Sequence, residues 1–204
     1  RFGKTLLMNM FESFLQISGK NPGNISKHLN YFKGTKILED QEFCDKYMGQ
    51  CPVIAITLKD VSGDDFKDAY FKLAEVVAGV AAKFEFLMGS PKLNAKEKAK
   101  FDKISDEDYL KSFAKKPKSY LTSAISSLSL MLYKHFNKQV YVLIDEYDVP
   151  LAKAQSYGYH KDMVTLMSSF LGFLKDSQKD PETNKPVVKK VILTGCLKVA
   201  KNSI

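Results

Sequence analysis

An uninterrupted apolar run, Val140 to Ile144, is followed at once by two carboxylates, Asp145 and Glu146, and soon afterwards by Pro150. A continuous apolar run of this length predicts a strand that is buried on both faces, as in a parallel sheet covered by helices. Such sheets bind ligands beyond the carboxyl ends of their strands, where the two acids lie. Two interpretations of the acids stay open. They form a solvated turn, or one holds Mg²⁺ through its waters while the other polarises a nucleophilic water.

The first five residues, Arg-Phe-Gly-Lys-Thr, end in the residue types of a phosphate-binding loop. Backbone N–H groups in such a loop surround phosphates, the lysine reaches the β and γ oxygens, and the hydroxyl ligates Mg²⁺. Apolar residues then recur at helical spacing from Leu6 to Ile17, so a helix that begins at Lys4 and Thr5 would point its positive end at a phosphate. The alternative is an ordinary amphipathic helix behind a Gly-Lys turn.

The remaining apolar patterns predict strands that alternate with helices. Further strands are predicted at Pro52–Leu58 and Val187–Thr194. Helices are predicted at Leu38–Met48, from the Ser62–Asp65 cap to about Met88, at Ser119–Phe136 and at Tyr157–Asp176. The pattern also predicts a loop over 21–36 with a short element near Tyr31, and a lysine-rich helical surface insertion over 89–118 whose Ser105–Asp108 stretch is a candidate capping box. This alternation implies a single α/β domain over 1–204 with a parallel sheet and right-handed crossovers.

Composition limits the classes of partner. The formal charge is +8, but Arg1 is the only arginine among the 31 basic residues, and lysine lacks the planar fork that reads guanine edges. The lysines are spread over the predicted helices, apart from the stretch Lys111–Lys118, which indicates a solvated surface. Weak, sequence-independent binding to nucleic acid or another acidic partner stays open.

The cysteines and histidines do not have the spacing of a metal site. The three cysteines and three histidines show no zinc-ligand intervals, so we expect reduced thiols and a cytoplasmic location. No apolar run approaches the roughly 18 residues of a membrane span, so no membrane association is predicted.

Three blocks of sequence resemble the bacterial AAA-ATPase-like family, whose P-loop domains are often followed by a restriction-endonuclease-like nuclease domain. The blocks are Arg-Phe-Gly-Lys-Thr at 1–5, Leu-Ile-Asp-Glu-Tyr-Asp-Val-Pro-Leu at 143–151 and Leu-Thr-Gly-Cys-Leu-Lys-Val-Ala-Lys at 193–201. They span almost the whole chain in the right order, and the middle block is the most specific of them.

The resemblance implies a three-layer α/β P-loop NTPase-like fold of the additional-strand class, with ATP and Mg²⁺ as cofactors. The family's phosphate loop corresponds to Arg1, Phe2, Gly3, Lys4 and Thr5. The implied catalytic residues are Lys4, Glu146 and Thr194, and the implied magnesium ligands are Thr5 and Asp145. Thr194 would sense the γ-phosphate; from its position alone, a hydroxyl bonded to a neighbouring carbonyl is an equal alternative. Tyr147 matches the motif as a packing residue and Asp148 as a neighbour of the site.

The chain also departs from the family pattern. The strand and the Arg-Pro-Arg sequence that usually precede the phosphate loop are missing, Lys198 stands where arginine is common, and Ala200 stands where serine is common. The chain begins inside a motif without methionine, so we expect a fragment that is truncated at both ends. Any transition-state arginine would then come in trans or from missing sequence, unless Lys198 takes its place.

The function expected from these patterns is Mg²⁺-dependent ATP hydrolysis that drives or gates an attached effector in the parent protein. Two alternatives are a nucleotide-dependent switch with negligible turnover and a lysine-rich nucleic-acid-binding scaffold. The sequence does not indicate the oligomeric state.

Overall fold

A parallel sheet of three strands lies at the centre of the structure, a computed structural model that describes residues 3–19, 22–174, 178–181 and 183–195. The strands are β1 (Val53–Thr57), β2 (Val140–Asp145) and β3 (Val188–Leu193), in the order β1-β2-β3. All neighbours are parallel, and one irregularity in register interrupts the β2–β3 pairing at Val140/Tyr141. The predicted α/β class with a parallel sheet flanked by helices is confirmed, and each predicted strand is found within a few residues of its predicted bounds.

Helices connect the strands and cover them. They are α1 (Lys4–Leu15), α2 (Ser26–Phe32), α3 (Gln41–Tyr47), α4 (Phe66–Ala82), α5 (Ala95–Ser105), α6 (Glu107–Lys111), α7 (Lys115–Thr122), α8 (Ala124–Phe136), α9 (Val149–Tyr157) and α10 (His160–Phe170). Short 3₁₀ segments lie at Lys36–Glu39, Glu85–Gly89 and Gly172–Leu174. Among the described residues, no helix has both the length and the apolar character needed to cross a membrane.

The two faces of the sheet pack into separate apolar clusters. Ile54, Ile56, Val142 and Ile144 belong to the larger cluster, which they share with buried residues of α4, α8 and α10. Val53 and Leu143 face the other way and pack with buried residues of α1 and α3. Because successive side chains of a strand point to opposite faces, β2 is buried on both sides, as its continuous apolar run predicts. Helices therefore cover both faces in three layers.

Some of the predicted helix bounds are wrong. The short element predicted near Tyr31, within the loop 21–36, is helix α2 and extends back to Ser26. Its Phe32 is buried against Phe14 of α1 with an edge-to-face ring contact of 5.2 Å between centroids. The long helix predicted to reach Met88 ends at Ala82 and is followed by the 3₁₀ segment. In each case tertiary packing decided the local conformation, which the periodicity of a short segment does not specify.

Two stretches predicted as single helices are each divided. Ser119–Phe136 spans the end of α7 and all of α8, which separate at Ser123. Tyr157–Asp176 begins at the last residue of α9 and includes all of α10, and between them Gly158 adopts a left-handed conformation with φ of 83°. Asp176, the predicted end, lies outside the described residues. Pro150 does not prevent α9 from starting, because the first turn of a helix has no need of its N–H.

The segment 89–118 contains helices, as predicted, but its capping box lies at Asn94 and Glu97 rather than at Ser105–Asp108. Asp106 instead caps α6 by accepting a hydrogen bond from the Tyr109 amide. Phe101, Ile104 and Leu110 of this segment are buried in the larger apolar cluster. Its status as an insertion within a single domain over 1–204 stays a prediction.

Candidate functional site

Asp145 ends the central strand, between the ends of both neighbouring strands. It pairs in register with Thr57 of β1, and its carbonyl accepts a hydrogen bond of 2.9 Å from the Leu58 amide. On the other side, the Thr194 amide donates to the Ile144 carbonyl at 2.9 Å, which continues the β3 ladder by one residue. The backbone on both sides therefore fixes the position of the Asp145 side chain.

The carboxylate of Asp145 accepts a hydroxyl on each oxygen. Thr5 Oγ1 donates to Oδ2 at 2.7 Å, and Thr194 Oγ1 donates to Oδ1. The residue is 6% exposed, so it does not lie in a solvated turn, which was one of the two interpretations of the acid pair. From the sequence, the Thr194 hydroxyl was expected either to sense the γ-phosphate or to bond to a neighbouring carbonyl. In the structure it donates to the Asp145 carboxylate instead of a carbonyl. The structure thus brings together three of the predicted site residues from α1, β2 and the end of β3.

The N-terminus of α1 lies beside this carboxylate. Gly3 is the N-cap, with φ of 97°, and its carbonyl accepts the first helical hydrogen bond from the Leu7 amide at 2.8 Å. This left-handed backbone favours glycine, although the space around a Cβ there would be open. Among the described residues no side chain caps this helix, and its first turn contains no acid. The positive end of the α1 dipole and its first-turn N–H groups are suited to an anion.

Lys4 links the start of α1 to the segment after β3. Its Nζ donates a hydrogen bond of 2.8 Å to the Gly195 carbonyl. The ammonium therefore lies on the β3 side of Asp145, near Thr194. Arg1 and Phe2, which are also predicted to bind the cofactor, lie outside the described residues, as do Lys198 and Ala200.

Glu146 has an unusual backbone. Its φ of 54° is left-handed, and the Val149 amide donates to its carbonyl at 3.1 Å in the turn that leads into α9. For a residue other than glycine this conformation costs about 1–2 kcal/mol and is found disproportionately at functional sites. The conformation turns the chain sharply at the end of β2, so the second acid leaves the plane of the strand.

A cavity of about 330 Å³ lies beside the two acids. It is on the α1 face of the sheet, since Ala55 and Leu143 line it together with residues of α1. The polar and charged groups that line it come from α1, the end of β1, the end of α4 and the end of β2: Thr5, Asn9, Glu12, Thr57, Lys59, Lys83, Asp145 and Glu146. The cavity can therefore hold a polar ligand in contact with both predicted acids.

Gly195 is a part of the site whose role the sequence did not indicate. A Cβ on this residue would lie 2.6 Å from Asp148 Oδ1 and 2.8 Å from Tyr147 Cε1. Asp148 is only 2% exposed, and the Tyr147 amide donates to the Thr194 carbonyl at 3.1 Å. The turn after β2 thus packs tightly on the Thr194-Gly195 backbone. The only signal in the sequence was a glycine directly after a polar strand end.

The oxygen donors at the site fit magnesium better than zinc. Within the described ranges, no group of three or more His, Cys, Asp and Glu side chains is placed to hold a metal ion. Thr5 and Asp145 provide a hydroxyl and one carboxylate. Mg²⁺ typically keeps several waters and takes one or two carboxylates together with substrate phosphates, so this small donor set suits it when a phosphate is also bound.

Comparison with known proteins gives one family. The AAA-ATPase-like family model, described as "Predicted AAA-ATPase", matches residues 1–204. Curated proteins give no match, and solved structures give none. The matched range includes the glycine-lysine-threonine sequence at the start of α1, the acids at the end of β2 and the residues after β3.

Proposed function

Because the chain belongs to the predicted AAA-ATPase family, whose model matches residues 1–204, we propose that it binds ATP with Mg²⁺ and hydrolyses it beside Asp145. One observation carries this proposal most directly. Thr5 and Asp145, which the sequence suggests as the magnesium ligands, are joined by a 2.7 Å hydrogen bond although 140 positions separate them. An additional-strand P-loop class is consistent with this arrangement.

The start of α1 binds the phosphates in this proposal. Gly3 allows the backbone to turn into the helix, and the N–H groups of the first turn would face the anion. Lys4 exchanges its bond with the Gly195 carbonyl for the β and γ oxygens of ATP. Arg1 and Phe2 would complete the same phosphate loop.

Thr5 and Asp145 hold the cation together. The Thr5 hydroxyl has one proton, which it donates to Asp145, so its lone pairs stay available as a ligand. Asp145 would supply the carboxylate that Mg²⁺ sites commonly contain, directly or through a bound water. When bound, Mg²⁺ would neutralise negative charge that develops on the phosphates during transfer.

Glu146 and Thr194 act on the terminal phosphate. Glu146 lines the cavity next to Thr5, where its carboxylate orients the attacking water and accepts its proton. Thr194 lies at the end of β3 and bonds to Asp145, so a shift of its hydroxyl towards the γ-phosphate would report whether that group is present. An attached effector, including a nuclease-like domain, is the proposed user of the energy released.

Replacement of Glu146 by glutamine tests this proposal and separates it from a non-hydrolysing switch. Glu146→Gln keeps the shape of the side chain and removes the base, so kcat should fall by about 10²-fold or more while the affinity for MgATP stays near that of the wild type. Glu85→Gln, which removes an exposed carboxylate from a 3₁₀ segment, is the matched control. Equal hydrolysis by Glu146→Gln and Glu85→Gln would contradict the assigned base. Binding of ATP without measurable turnover by the wild type would favour the switch.

A further inference from the structure

The cavity beside Asp145 and Glu146 contains two lysines that the proposed mechanism does not use, Lys59 and Lys83. The Lys83 ammonium lies 4.0 Å from Glu12 Oε1, another group of the same cavity. Lys59 forms no ion pair with any carboxylate in the described ranges. Lys59 therefore lines the same cavity as Asp145 and Glu146 and, among the described residues, forms an ion pair with neither of them.

The backbone that carries Lys59 is firmly held. Leu58 and Val61, on either side of it, are fully buried, and the Val61 amide donates to the Leu58 carbonyl at 3.1 Å. The Leu58 amide in turn donates to the carbonyl of Asp145 at 2.9 Å. A turn anchored in the core thus attaches Lys59 directly to the end of β2, while its side chain remains exposed to the cavity.

Lys59 and the ammonium of Lys4 lie on opposite sides of β2, the strand that carries the acids. Lys59 follows β1 and Lys4 bonds to the carbonyl that follows β3, and these two strands flank β2. Lys4 is placed for the phosphates at the N-terminus of α1. Lys59 shares its cavity with Glu146, on the side where the attacking water and the transferred phosphoryl group would lie.

We propose that Lys59 contacts the terminal phosphoryl group during its transfer to water. This inference rests on the proposed ATPase function. In that step the water oxygen bonds to the γ-phosphorus as the bond to the β–γ bridging oxygen breaks, giving ADP and phosphate, and Glu146 accepts the proton of the water. Negative charge spreads over the three equatorial oxygens, and a fixed cation that faces them lowers the barrier. Many phosphoryl-transfer enzymes use an arginine for this purpose. Here Lys59 supplies the cation from within the same chain.

The test compares Lys59→Met with Lys59→Arg and with a control, Lys161→Met. The control removes an exposed lysine of α10 that does not line the cavity. The first readout is steady-state ATP hydrolysis. Lys59→Met should lower kcat by at least about tenfold and leave KM nearly unchanged, whereas Lys59→Arg should restore most of the rate and Lys161→Met should match the wild type. The second readout is the affinity for orthovanadate in the presence of MgADP, which should fall in Lys59→Met while the affinity for MgADP alone is kept.

Each outcome decides between the two proposals. If Lys59→Met equals Lys161→Met in kcat and in vanadate affinity while the wild type hydrolyses ATP, the role of Lys59 is overturned and the ATPase function stands. If the wild type binds neither MgATP nor MgADP with vanadate, both are overturned. If the wild type binds the vanadate complex but turns over too slowly to measure, the vanadate affinity of Lys59→Met alone decides the role of Lys59.

Discussion

The hydroxyl of Thr5 donates a 2.7 Å hydrogen bond to Oδ2 of Asp145, which joins the first turn of α1 to the last residue of β2. Asp145 is 6% exposed whereas Thr5 is exposed, so water has little access to the carboxylate that accepts this bond. The same two groups are the proposed magnesium ligands. A substitution of Thr5 should therefore change both the stability of the fold and the binding of MgATP.

Thr5→Val should weaken both the fold and the binding of MgATP. Valine keeps the shape of threonine but leaves Oδ2 of Asp145 without this donor, and the loss of a hydrogen bond to a charged group costs about 1.5–3 kcal/mol. Thr5→Ser retains the hydroxyl and is the matched control. We expect calorimetry to show that added Mg²⁺ increases ATP affinity in the wild type and in Thr5→Ser but not in Thr5→Val. An equal effect of Mg²⁺ in all three proteins would contradict the assignment of Thr5.

Two glycine-to-alanine substitutions should have opposite effects on stability. In Gly195→Ala the new Cβ would lie 2.6 Å from Asp148 Oδ1, and burial of Asp148 leaves little room for a shift, so we expect a loss of about 1–3 kcal/mol. Gly79→Ala lies within α4, where a Cβ meets nothing within 4 Å, and should gain about 0.5–1 kcal/mol from helix propensity. Urea unfolding measures both changes.

The same pair of variants also separates stability from catalysis. Gly195→Ala should reduce ATP turnover at temperatures where the protein is fully folded, because Gly195 adjoins Thr194 and its carbonyl accepts the hydrogen bond from Lys4. Gly79→Ala should hydrolyse ATP at the wild-type rate. If Gly195→Ala has the turnover and the stability of the wild type, the close packing after β3 is needed for neither.

His135 should make the protein less stable in mild acid. Burial, and to a lesser extent the nearby Lys92 charge, lower the pKa of His135 below its ordinary value. Below a pH of about 6.5 the unfolded chain therefore takes up a proton that the folded chain resists, so the free energy of unfolding falls as the pH falls. This contribution is fully present above that pH and is progressively lost as the pH drops through the lowered pKa.

His135→Asn provides the comparison, because asparagine can keep a hydrogen bond to Ser90 Oγ, which lies 2.8 Å from His135 Nδ1. Urea unfolding of both proteins between pH 7.5 and about pH 5.5, above the range in which most carboxylates titrate, should show a smaller loss of stability in the variant. Parallel losses in both proteins would show that His135 does not carry this pH dependence.

The sequence was most informative where one residue pattern satisfied several requirements at once. The apolar run at Val140 predicted a strand buried on both faces, and the structure places Leu143 and Ile144 in the two different apolar clusters. The glycine-lysine-threonine sequence predicted a helix start at Lys4, where α1 begins. These two boundaries depend on local chemistry, so they could be located without knowledge of the tertiary structure.

Features that depend on contacts between distant segments could not be predicted. A short element was predicted near Tyr31, but its helical conformation and its start at Ser26 accompany packing against α1. The need for glycine at 195 arises only because Tyr147 and Asp148 lie against it. Lys59 follows the strand predicted at Pro52–Leu58, and no motif in the sequence assigned it a role. Its place in the cavity becomes evident only when β1 and β2 are paired and α1 covers them.

The affinity of the wild type and of Lys4→Ala for MgATP, measured by calorimetry with Lys161→Ala as the control, tests the central claim most directly. The account predicts that the wild type and Lys161→Ala bind MgATP with the same affinity and that Lys4→Ala loses at least about tenfold, since a charge-assisted bond to phosphate contributes more than 1.4 kcal/mol. Equal affinities in the three proteins, or no binding by any of them, would contradict a nucleotide site at the start of α1.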